Sequence, residues 1–99
     1  RGFVYINYAC YVSNVVMLAD VTGSAVVDIW RIARASHPPT VANTITASDK
    51  PTLSSQIQSL DETLTGWSNA GNAGDVWMFH LDSASTITKL TVTLTAYPR

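Results

Sequence analysis

The sequence predicts an all-β domain, a β-sandwich of jelly-roll type, with a long central crossing that holds one or two short helical turns. Three observations lead there. Short runs of β-branched and aromatic residues recur with period-two alternation, as in FVYINY, AVVDIW and KLTVTLTAY. Links rich in Gly, Ser, Asn and Asp separate them. Charged residues make up only 13% of the 99 residues, against about 25% in globular domains, so Thr, Ser, Asn and Gln must cover the surface.

The first strand is expected at Phe3–Tyr8, followed by a break at Ala9-Cys10. Cys10–Ala19 then reads as a second strand, with Val12, Asn14, Val16 and Leu18 on one face. Ser24–Ala33 is its expected hairpin partner across Asp20-Val21-Thr22-Gly23-Ser24, with Gly23 supplying a positive φ. Beyond it, Val26, Asp28, Trp30 and Ile32 alternate with Ala25, Val27, Ile29 and Arg31. Neither face is purely polar, which suits an interior strand.

The character changes at Ala35–Glu62. Pro38 and Pro39 cannot donate to a ladder, so the strand must stop before them. Pro39 can open a helical turn through Thr40–Thr44. A structureless segment of this length is unusual, so a short strand is expected within it. Ile45, Leu53, Ile57 and Leu60 are expected to anchor it to the core. A last block of strands follows. Asp75–Asp82 places Trp77, Phe79 and Leu81 on one face. Asp82-Ser83-Ala84-Ser85 reads as a turn into Thr86–Tyr97, whose Leu90, Val92, Leu94 and Ala96 face the core opposite a threonine ladder.

The chain is long enough for one domain, residues 1–99, with one core. It opens at Arg1, without a Met and directly in a strand pattern, so a fragment of a longer protein is expected. A net charge of −1 and scattered basic residues argue against nucleic acid as a partner. No apolar run approaches the ~20 residues of a membrane helix, so membrane insertion is not expected. The single Cys10 reads as a buried free thiol and excludes an internal disulfide. His37 and His80 stand alone, no ligand-dense loop offers a calcium site, and no metal or other cofactor is expected.

Catalysis is not expected either. Asp20, Asp75 and Asp82 border turns, where Asp caps backbone amides. A hydrolase would need two carboxylates about 5–9.5 Å apart. Asp28 has Asp75 and Asp82 within possible cross-strand reach, but the spacing requires neither meeting. Asp28 itself reads as a buried acceptor that fixes the long crossing, with sugar binding near a Trp as the functional alternative. Trp30 and Trp77 read as core. Trp67 stands in the polar setting Thr65-Gly66-Trp67-Ser68-Asn69, and reads either as a lid over the core or as an exposed platform. A ligand site, if present, is expected at Trp67, Asn69, Asn72 and Asp75, on one Gly-rich loop system.

The order LADVTGSAVVDIWR, HPPTVANTITASDKPTLSS, LTGW and AGDVWMFHLDSASTITKLTVTL resembles a short module recurring in tail-fibre and other virion proteins of tailed bacteriophages. The match runs from about Cys10 to Leu94. The resemblance implies a β-rich domain on the virion surface, often near a fibre's distal end, and implies no catalytic activity. The expected function is therefore structural or attachment work in the particle. Its partners would be copies of itself, with a homotrimer favoured, and other virion proteins. A capsid decoration protein is a variant of that reading, and recognition of host-surface carbohydrate is the alternative. The Thr-rich face and low charge suit packing between copies.

Overall fold

A computed structural model describes residues 2–98 of the chain; Arg1, where the expectation of a fragment was placed, lies outside them. The fold is all-β. Six strands, β1 (Gly2–Ile6), β2 (Cys10–Ala33), β3 (Thr52–Asp61), β4 (Ala70–Gly71), β5 (Asp75–Ser85) and β6 (Leu90–Pro98), form one antiparallel sheet. Two 3-10 turns, Arg34–Ser36 and Val41–Asn43, lie in the central crossing, the second just after Pro39 as the sequence predicts. The crossing also carries β3, and β2 ends at Ala33, ahead of the two prolines.

The expected hairpin does not form. Cys10–Ala33 is one strand of 24 residues. Straight, it would span about 80 Å at ~3.3 Å per residue, yet the longest molecular extent is 37 Å. The strand must therefore coil. Both ladders lapse near Asp20–Thr22, between Ala19↔Leu90 and Ser24↔Ser85 on one edge and between Leu18↔Gln58 and Gly23↔Gln56 on the other. The polar link that reads as a turn is thus a bend within a spine. Its two halves do not pair with each other because each finds a longer partner. β6 lies along the first half, β5 along the second, and β3 spans the bend on the opposite edge. Asp20 fastens the bend by accepting hydrogen bonds from Thr88 Oγ1, Thr88 N and Lys89 N.

Gly23 is needed for space and not for a positive φ. A Cβ there would lie 2.6 Å from Ser85 O and 2.7 Å from Ile87 Cγ1. The Asp82–Ser85 turn is likewise replaced: these residues continue β5, and residues 86–89 make the link.

The expected face of the first half of β2 is also corrected. Val12 pairs with Ala96 but Asn14 with Thr95, so one extra residue bulges at Ser13. A bulge shifts side-chain parity. Cys10 and Val12 point inward before it, Val15 and Met17 after it, and Leu18 is exposed. Residues of both halves of β2, Val12, Val15, Met17, Ala25, Val27 and Ile29, join Ile45, Leu53, Leu64, Trp67 and Trp77 in one core. Leu90, Val92, Leu94 and Ala96 of β6 pack against it, as their alternation predicts. Of the anchors expected in the crossing, Ile45 and Leu53 are buried, while Ile57 and Leu60 are exposed on β3, as is Leu81 on β5.

Candidate functional site: an apolar groove beside open sheet edges

Titratable groups gather on the even-numbered face of β2. Asp28 is 2% exposed, and its Oδ1 accepts hydrogen bonds from Thr44 Oγ1 at 2.6 Å, Thr46 Oγ1 at 2.9 Å and Ile29 N at 2.8 Å. Burial raises its pKa, but the hydroxyls, the nearby Trp30 indole and the Lys50 charge outweigh that and leave it lowered. Lys50 Nζ lies 3.8 Å from Asp28 Oδ2 and 2.7 Å from Asp82 Oδ2. Asp82 Oδ1 is 2.7 Å from His80 Nδ1, and the His80 ring stacks on Trp30 at 4.7 Å. Asp28 and Asp82 do approach across strands, but with a lysine between them. That lysine bridges the two carboxylates, and Thr44, Thr46 and Lys50 all come from the crossing. Asp28 is therefore the acceptor that seats the crossing on β2.

The four residues singled out on the Gly-rich loops are spread over separate tasks. Trp67 is 9% exposed, and its Nε1 donates to Asp49 O at 2.7 Å. Its ring belongs to the core. Asn69 Nδ2 donates to Val12 O at 3.2 Å, and Val12 N donates to Asn69 O at 2.9 Å. Asn72 N donates to Asp75 Oδ2 at 2.9 Å. Asp75 is buried and lies 3.5 Å from Arg31 Nε, while Arg31 Nη1 donates to Ser68 O. The structure brings Asn72 and Asp75 together. It uses Trp67 and Asn69 to fasten their loop to Asp49 and to β2.

A different surface is left open. A groove of about 220 Å³ runs between Val4, Ile6 and Phe79 on one wall and Val12, Leu94 and Ala96 on the other. Tyr8, Cys10 and Trp77 complete its lining. The Trp77 indole N–H is buried and makes no hydrogen bond. β1 pairs only with β5, and β6 only with β2, so each leaves one edge without a strand among the described residues. Neither strand contains a charged residue. On β1 the side chains are apolar on both faces: Phe3 is 53% exposed, Val4 44% and Tyr5 51%. Edge strands usually carry charge, Pro or a bulge that blocks further pairing. β1 carries none of these.

Sequence reasoning missed this surface although the signal was present. In FVYINY the four residues ahead of Asn7 have no polar face, and a strand at a sheet edge cannot bury both sides. Comparison with family models, curated proteins and solved structures finds no match to this chain.

Proposed function

We propose that the chain is a non-enzymatic structural and attachment module of a bacteriophage particle, working through self-association. The supporting observation is the uncharged, apolar β1 edge beside the groove. It presents main-chain donors and acceptors flanked by aromatic side chains, the surface on which β-augmentation operates. The motif order described above supplies the virion setting. The charged residues nearest to a catalytic arrangement, Asp28, Lys50, Asp82 and Arg31 with Asp75, are engaged with one another or with the backbone. Antibody raised against the chain should label virus particles released by its source; label confined to the soluble cell fraction would overturn the virion setting.

One observation favours the carbohydrate reading as a second possibility. Tyr11 and Tyr97 are 43% and 50% exposed, with ring centroids 5.9 Å apart. Exposed aromatic faces of this kind stack on sugars. Glycan-array binding lost in Tyr97→Ala supports that role, and an array without hits removes it.

A further inference from the structure

We infer that the partner on β1 is a second copy of this chain, paired edge to edge and antiparallel about a two-fold axis beside Val4. The inference rests on the self-association reading and names its surface and geometry. A two-fold interface is self-complementary, so each residue meets its own symmetry-related set. Centred on Val4, the pairing sets Phe3 opposite Tyr5, Val4 opposite Val4, and Gly2 opposite Ile6. Every cross-strand neighbour is then apolar or Gly, and aromatic pairs are among the favourable ones. No like charges meet, because β1 holds none. That neutrality is what lets identical edges approach.

Both faces of β1 gain from this arrangement. Phe3 and Tyr5 alternate with Val4 and Ile6, and the latter two line the groove. A second β1 continues the sheet and carries the groove wall across the axis, so exposed apolar surface on each face finds a counterpart. The area is of the right order. Aromatic side chains bury 150–250 Å² when fully covered, and Phe3, Tyr5 and Tyr8 are 53%, 51% and 48% exposed. With Val4 and the groove walls, each copy offers roughly 500 Å², or ~1,000 Å² for the pair, the lower bound for a specific interface. A reversible dimer of modest affinity is the consequence.

Sedimentation velocity on the whole chain, from about 10 µM to 1 mM, reads the association that such an area supports. The expected result is a concentration-dependent monomer–dimer equilibrium. Val4→Lys places two ammonium groups at the axis and should weaken it at least tenfold, while Gln58→Lys, exposed on β3, should leave it unchanged. Near-UV circular dichroism confirms that both variants are folded. Val4→Cys supplies an independent arm, because mild oxidation should link position 4 to its own copy, whereas Gln58→Cys should not cross-link. A dimer or trimer that survives Val4→Lys, with no cross-link through Val4→Cys, overturns the β1 pairing and leaves self-association standing. A monomer at every concentration overturns both.

Discussion

Asp28 seats the central crossing on β2. Three donors and a lysine converge on a side chain that water hardly reaches. Removing the acceptor leaves the Thr44 and Thr46 hydroxyls only each other, at 3.2 Å, so one of the two donors is unmatched where the crossing meets β2, at about 1–3 kcal/mol for a buried group left unpaired. Asp28→Ala should therefore cost about 3 kcal/mol in urea unfolding, and Asp28→Asn, which keeps one oxygen acceptor, about half of that. Equal losses in the two variants would show that charge, and not acceptance, is what matters. The sequence exposed this role because a carboxylate between Val27 and Ile29 must be satisfied. It did not expose Lys50 as the counter-ion, since Arg31 and Arg34 are nearer in the chain. Gly23 is a second single-residue constraint. Its Cβ would strike the carbonyl of Ser85, a backbone atom that cannot swing aside. Gly23→Ala should destabilise the fold by about 2 kcal/mol or more, as overpacking does, whereas a turn glycine needed for a positive φ would instead be rescued by Asn.

At the scale of elements, strand content was legible and strand pairing was not. Alternation marked β1, both halves of β2, β5 and β6, and the prolines marked the end of β2. Composition cannot tell a hairpin turn from a bend in one long strand, because both want short polar residues and a glycine where the ladder lapses. What separates them is the partner, and for Cys10–Ala19 the partner is β6, some eighty residues away. The Ser13 bulge was illegible for a related reason. It changes which residues face inward without changing the apolar count. At Trp67 the polar neighbours left two readings open, a lid over the core or an exposed platform, and only the tertiary fold decides between them: its ring joins the core and its indole donates to Asp49 across the crossing. The pairing scheme makes a prediction of its own. Val15–Leu18 and Ala25–Val26 lie between two strands, β3 on one edge and β6 or β5 on the other. Amides there should be the slowest to exchange with solvent, and those of β1, with one neighbour, among the fastest in the sheet. Fast exchange at Met17 would contradict the central position of β2.

For the whole molecule, the charges matter less by number than by how they are held. Asp20 sits at about 2, first because of the Thr88 hydroxyl and then the Lys89 amide. Hydrogen bonding by Lys50 lowers Asp82, while Asp28 and Asp61 are lowered by hydrogen bonds that outweigh their burial. A carboxylate bound more weakly to its proton in the folded state gives stability that is complete above its unfolded pKa, near 3.8, and is lost as pH falls through the folded value. Asp49 runs the other way. Its hydrogen bond with Asp61 raises it, so its contribution is present at low pH and fades as pH rises through that raised value. Lys50 is raised above 10.5 by Asp82, so its contribution is complete below 10.5 and is lost only as pH climbs through the folded value. Four groups therefore oppose one in the acid range. The urea midpoint, followed by tryptophan fluorescence, should be level from about pH 6 to 9 and fall between about pH 5 and 2.5. Asp49→Asn removes the opposing group while keeping an oxygen for the Thr65 amide that donates to Asp49. The acid fall should then become steeper. A midpoint that holds steady down to pH 2.5, or a shallower fall in Asp49→Asn, would mean that these carboxylates are not held in the folded chain as their hydrogen bonds indicate.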